Sequence, residues 1–315
     1  MGVAAALAAW LPGAGRAQGR AVRIVVPFGA GGIADLTARA VGQPLSEQLG
    51  QPVVIDNRPG AGGVAAGEAV ARAEPDGHTL LLVSNGTAVS AGLFKSLPFD
   101  PQRDFAPVSL LGLFDLVIVA PQESRFATLA QLLALARAQP GKLNLGTINV
   151  GSTQHLAAQL FKSTAGIDLQ VVPFNGTPAL VTALRGGQVD AAVEILGPVR
   201  TQVTAGTLRA LAVMGDKRAP ALPEVPTASE SGASLAGLNV SSWNGLAAPG
   251  RTPGEVVLRL NRGLQAVLAR PEVRDRLAQL DVQARHSTPE QLGTLLAADI
   301  RRWREVIERA GIPRQ

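Results

Sequence analysis

One arrangement occurs twice in this chain and limits what it can fold into. Val25-Val26-Pro27-Phe28-Gly29 and Val171-Val172-Pro173-Phe174-Asn175 are both short apolar runs that end at a small, polar turn. An amphipathic pattern follows each. The spacing predicts a strand over Val22–Phe28, a helix from Ile33, and a strand over Val53–Asp56. A second glycine turn follows at Pro59-Gly60-Ala61-Gly62-Gly63, then a helix over Val64–Arg72 and a strand over Thr79–Ser84. The order β-α-β-α-β is an α/β signature. TLLLVS at 79–84 is an unbroken apolar run of the kind a parallel sheet buries on both faces. In open α/β sheets ligands sit beyond the carboxyl ends of the strands. The first N–H groups of a helix lack partners, and its dipole favours negative charge there. Glycine-rich turns such as Gly29–Gly32 are therefore places for a carboxylate or a phosphate.

Further along, Phe105–Val119 is a long apolar stretch without helical spacing. It reads as one extended strand and as a first crossing between two lobes. Thr128-Leu129-Ala130-Gln131 fits a capping box and opens a helix to about Gln139, where Pro140-Gly141 stops it. Strands are expected at Leu143–Gly146, Leu169–Phe174, Val189–Ile195 and Leu208–Val213. A small polar turn at 149–153 precedes one helix, and Asn175-Gly176-Thr177-Pro178 opens another that runs to Arg185. Trp243–Pro249 reads as a return crossing, with Trp243 as a core residue there. Two helices finish the chain, each opened by a capping box, at Thr252–Glu255 and at Thr288–Gln291. Leu292, Leu295, Leu296, Ile300, Trp303 and Ile307 form the apolar stripe of the last one. Pro44 interrupts the first helix and is expected to kink or restart it.

At 315 residues and 46% hydrophobic, the chain is long enough for a substantial core. No apolar run reaches the roughly 18 residues needed to cross a bilayer. The net charge of +5 comes from scattered arginines. Tyrosine is absent and aromatics are 3%, so a nucleic-acid surface is not expected. With no cysteine there is no disulfide, thiolate metal site or thiol nucleophile. The three histidines are far apart and lack the spacing of a metal site. Ser84 and Ser152 lack a G-x-S-x-G elbow, so neither reads as a nucleophile. Residues 1–20 read as a processed leader with a short apolar block and small residues before a cut, although the basic start is missing.

Motifs in constant order carry a resemblance over nearly the whole chain after residue 20. They are VPFGAGGIAD (26–35), VVIDNRPGAGG (53–63), HTLLLVSNGT (78–87), GSTQHLAAQLF (151–161), VVPFNGTPAL (171–180), GGQVDAA (186–192), LRALAV with PEVPTASESG (208–232) and WNGLAAPGRTP (243–253). The chain resembles the solute-binding proteins of tripartite tricarboxylate transporters, the Bug family of extracytoplasmic receptors. The resemblance implies a type II periplasmic-binding-protein fold, two α/β lobes joined by two extended crossings with a ligand cleft between them. Lobe one would comprise 21–118 and 240–315, and lobe two 119–239. It implies a monomer in the periplasm that captures a small carboxylic acid and passes it to membrane subunits, with no cofactor and no catalysis. Carried over, the ligand-holding positions are Phe28, Gly31, Gly32 and Asp35; Ser84, Asn85 and Thr87; Ser152, Thr153 and His155; and Phe174, Asn175 and Gly176. The family often has Tyr at Phe174 and Lys at Asn175, so a phenol hydrogen bond and a positive charge are absent here. Asp35 and His155 also have plainer readings, as a helix-dipole partner and a loop brace. Glu194 ends a strand that should point into the cleft. A buried carboxylate there would oppose a plain polyanion and favour a ligand with a donor group.

Two other classes fit parts of the sequence. Gly29–Ala34 matches G-x-G-x-x-A after a strand, and Asp56 ends the next strand, as in a dinucleotide-binding oxidoreductase. A two-lobed domain also serves as a ligand sensor for a signalling partner, although the helix-turn-helix of LysR-type regulators has no room before the fold.

Overall fold

In the computed structural model residues 20–315 are described; apart from Arg20, the expected leader lies outside them. The first half begins with β1 (Val22–Val26), α1 (Ile33–Leu49), β2 (Val53–Asn57), α2 (Val64–Ala71), β3 (Thr79–Ser84) and α3 (Asn85–Leu93). The long β4 (Phe105–Pro121) follows, then α4 (Leu129–Ala138), β5 (Asn144–Ile148), α5 (Thr153–Ala165), β6 (Gln170–Phe174), α6 (Thr177–Arg185), β7 (Ala191–Ile195), α7 (Leu196–Thr204) and β8 (Leu208–Val213). The chain ends with β9 (Ser241–Pro249), α8 (Gly254–Ala269), α9 (Pro271–Ala278), β10 (Gln283–Ala284) and α10 (Pro289–Arg309).

The strands form one path, β2-β1-β3-β9-β4-β7-β5-β6, with β8 and β10 pairing to β4 beside it. β1 lies parallel to both β2 and β3, and β5 lies parallel to both β6 and β7. β4 joins the two sets. Its Phe105–Asp115 part pairs antiparallel with β9, and its Leu116–Pro121 part pairs with β7 and β8. Seventeen residues in extended form thus serve two sheets, as the apolar run without helical spacing predicts. β3 is followed in the sheet by antiparallel β9. A dinucleotide fold would continue with a parallel strand there, so that reading fails on topology. The two echoing segments are not topological equivalents. The first forms β1, the middle of its parallel set, and the second forms β6, at an edge.

Several local expectations need correction. α1 runs unbroken through Pro44. An interior proline costs about 3 kcal/mol, and burial of Ile33, Ala34, Ala38, Val41 and Leu45 on one face offsets it. Ser84–Thr87, a stretch of loop composition, opens a helix directly after β3. Ser84 caps α3 directly, its hydroxyl accepting the Gly86 N–H at 3.1 Å while Thr87 Oγ1 accepts the Ser84 N–H at 3.2 Å. α7 and α9 were not expected. At the start of α8 the cap position is Pro253, with no side-chain cap, so the box expected from Thr252 does not form. The box at Thr288 does form, and Leu292, Leu296, Ile300, Trp303 and Ile307 are buried with Leu295 partly so. That stripe packs on β4, α3 and α5, and so braces both halves.

Candidate functional site

A cleft opens where the turns after β1, β5 and β6 meet. Its larger compartment, about 910 Å³, is lined by Phe28 to Ala34, Ser84, Ile148, Asn149, Ser152 to Gln154, Asn175 to Pro178 and Glu194, with Ser242 and Asn244 from β9 and Gln202 from α7. A second compartment of about 720 Å³ shares Phe28, Gly29, Pro59, Ile148, Asn149, Ser152 and Asn175 with it. Thr87, Ser90, Gly151 and Phe174 border only this second one.

Among the helices that begin at this cleft, which include α2 at Gly63 and α7 at Ile195, α1, α3, α5 and α6 begin in two ways. α3 and α5 are capped by serine hydroxyls, Ser84 and Ser152. α1 and α6 start at Gly32 and Gly176, which offer no side-chain cap. A glycine cap leaves the first-turn N–H groups to an outside acceptor and lets that acceptor approach the backbone. Gly176 adopts φ +87, a left-handed value costly for other residues. The uncapped ends come from opposite sheet sets and line the same compartment. Among the described residues no Lys, Arg or His lines either compartment. An anion here would be balanced by helix ends, amides and hydroxyls, each charged hydrogen bond contributing roughly 1.5–3 kcal/mol.

Glu194 is the one charged side chain among these lining residues, and it is 1% exposed. Its Oε1 accepts from Gln154 Nε2 at 2.7 Å and from its neighbour Ile195 N–H at 2.8 Å. Its Oε2 accepts from Thr177 Oγ1 at 2.9 Å. Burial pushes the carboxyl above the usual range, while these three bonds oppose that rise.

The residues singled out from the sequence divide into groups. Phe28, Gly31, Gly32, Ser84, Ser152, Thr153, Asn175, Gly176 and Glu194 meet at the larger compartment, and Thr87 and Phe174 at the smaller. Asp35, Asn85 and His155 reach neither lining. Asp35 accepts the Gly31 N–H at 2.8 Å and pairs with Arg39 Nε at 2.9 Å. It braces the turn, and the Gly31 amide is engaged by it. Burial raises the Asp35 carboxyl, but bonds from Arg39, Gly31 and Asn57 and the Arg39 charge together hold it below the ordinary value. Asn85 donates to the Ser241 carbonyl at 3.2 Å. The His155 ring is buried, which lowers its pKa and keeps it neutral. The Ser152 hydroxyl donates to the Ile148 carbonyl at 2.7 Å while accepting the His155 N–H, so its proton is also engaged. Sequence reasoning missed Gln154, Thr177, Gln202, Ser242 and Asn244. Gln154, Thr177 and Asn244 lay inside motifs already noticed, whereas Gln202 and Ser242 lay in none.

Two sheet sets that share a long strand and enclose a cleft between opposed helix ends define the class of periplasmic binding proteins. The sequence matches the tripartite tricarboxylate transporter family receptors over residues 37–312. The chain belongs to that family. It is similar to the solved periplasmic binding protein BugD, with 33% identity, 94% of this chain and 99% of that one covered, and a TM-score of 0.85. It is similar to MatC from Rhodopseudomonas palustris, solved with bound malate, at 34% identity, 91% and 99% coverage and TM-score 0.82. It is also similar to Rpa4515 of R. palustris, solved with adipate, at 33% identity, 94% and 98% coverage and TM-score 0.86.

Proposed function

We propose that this chain is a periplasmic receptor that captures a small carboxylic acid and delivers it to the membrane subunits of a tripartite tricarboxylate-type transporter. It acts as a monomer, without catalysis and without a cofactor. Its lobes are 21–118 with 240–315, and 119–239, and they close on the ligand. One observation carries the reading: the glycine-ended N-termini of α1 and α6, from opposite sheet sets, line one cleft. Binding of malate and adipate by relatives of the same fold supports a carboxylate as the ligand. Among the described residues no helix is long and apolar enough to cross a membrane, which fits a receptor separate from its transport subunits. Of the residues at the lining, Gly32, Ser84, Thr153, Asn175 and Gly176 are assigned ligand contacts, together with the first-turn amides of α1 and α6.

The test is a thermal-shift screen of aliphatic, amino and aromatic carboxylic acids, followed by small-angle scattering. A ligand at about 100 times its Kd stabilises by about 2.7 kcal/mol. A raised melting temperature with a smaller radius of gyration is the expected result. If no acid moves either quantity, the reading falls.

A further inference from the structure

The larger compartment, lined by the glycine-ended starts of α1 and α6, also carries polar atoms that the protein itself leaves unanswered. Asn244, 1% exposed on β9, has its Nδ2 buried without a partner among the described residues. Gln202, on α7, has its Oε1 buried in the same state. Both side chains line the compartment beside Glu194. A carboxylate offers about four acceptor positions. Three at Glu194 are filled, two on Oε1 and one on Oε2. Oε2 keeps one more.

These groups therefore present one donor and two acceptors. Buried polar groups left without partners are costly, so a complementary ligand gains by answering all of them. A plain diacid at neutral pH brings acceptors only. It suits Asn244 and the helix ends, and the Gln202 amide can turn its NH₂ toward it, but it sets oxygen against oxygen at ionised Glu194. We infer that the cleft takes a carboxylic acid that also carries a hydrogen-bond donor, a hydroxyl or an ammonium, directed at Glu194 Oε2 and Gln202 Oε1. The acid group answers the helix ends and Asn244. The inference rests on the carboxylate reading above and narrows it to a class.

Calorimetry on the full chain with matched acids tests it: succinate, malate and aspartate; glutarate, 2-hydroxyglutarate and glutamate; benzoate and 4-hydroxybenzoate. In at least one set the donor-bearing acid should bind tenfold or more tighter than its unsubstituted partner. Glu194→Gln should shrink that gap at least fivefold if the donor is an ammonium, because an amide NH₂ then meets NH₃⁺. For a hydroxyl the loss should be smaller, since a hydroxyl can also accept. Asn244→Ala should weaken all bound acids alike. Glu194→Gln is nearly isosteric, and the wild-type comparison needs no variant at all. Equal binding of plain and substituted acids in every set overturns this inference and leaves carboxylate capture standing. A gain for plain diacids in Glu194→Gln with no loss for the substituted ones overturns it too. Binding of none of these acids overturns carboxylate capture itself.

Discussion

Asp35 Oδ2 takes the N–H of Gly31 at 2.8 Å, so the residue that follows the glycine turn also holds it in shape. Gly31 sits at φ +82, and the bond, with the Arg39 pair behind it, keeps that left-handed turn in place. Asp35→Ala is expected to lower stability by about 1.5–3 kcal/mol, the worth of a hydrogen bond to a charged group. Affinity for any acid that shifts the melting temperature should fall roughly tenfold through loss of preorganisation. Urea melts and calorimetry check both. An unchanged Kd would show that the turn needs no brace.

Asp35 and Glu194 should respond to acid in opposite directions. The folded-state pKa of Asp35 lies below the ordinary aspartate value, so its contribution is present above that value and is lost as pH falls through the folded pKa. The folded-state pKa of Glu194 lies above the ordinary glutamate value. Ionised Glu194 destabilises the unliganded protein, and protonation as pH falls through the raised pKa relieves this. Glu194→Gln should thus melt higher than wild type above the raised pKa, with the gap narrowing as pH falls through it. Asp35→Asn should melt lower than wild type at neutral pH and converge with it only in strong acid. Melting curves taken across both pKa values decide it.

Trp243 Nε1 donates to Asp299 Oδ2 at 2.7 Å and ties β9 to α10. Burial raises the Asp299 carboxyl, with the Trp243 bond and the Arg302 charge opposing it. Trp243→Phe leaves that carboxylate short of a donor and should cost about 1–3 kcal/mol. Adding Asp299→Leu should recover part of the loss, because removing both partners is nearly neutral. Trp243 lines neither compartment, so ligand affinity should stay the same.

Gly151 lies in the turn before α5 at φ +83, and a Cβ there would meet Leu93 Cδ2 of α3 at 2.7 Å. Gly151→Ala should destabilise by about 1–3 kcal/mol through backbone strain and this clash. The turn also borders the cleft, so carboxylate affinity should fall in the same variant. Chemical denaturation and calorimetry on one preparation measure both effects.

Most elements were legible in the chain because their signals are local. Apolar runs of five or six residues between glycine turns mark β1, β3 and β6, and Ser152 and Thr288 mark helix starts by side-chain chemistry close at hand. α7 escaped because Gly197 and Pro198 read as breakers. In the first turn of a helix a proline removes an N–H that had no partner there, so the helix tolerates it. α3 escaped because Asn85, Gly86 and Thr87 have loop composition, although the Ser84 box turns them into a helical turn.

The amino-acid order by itself determined the α/β alternation, the long shared strand, and which turns carry glycine and small polar residues. Only the tertiary structure decided which of those groups remain available to a ligand. The Gly31 amide and the Ser152 proton are engaged within the protein, while Asn244 Nδ2, far away in sequence, has no protein partner among the described residues. Gln154 and Glu194 meet across 40 residues of chain. Strand and helix signals arise between near neighbours, so they can be read along the chain. Hydrogen-bond occupancy depends on which distant atoms the packed sheets bring within about 3 Å.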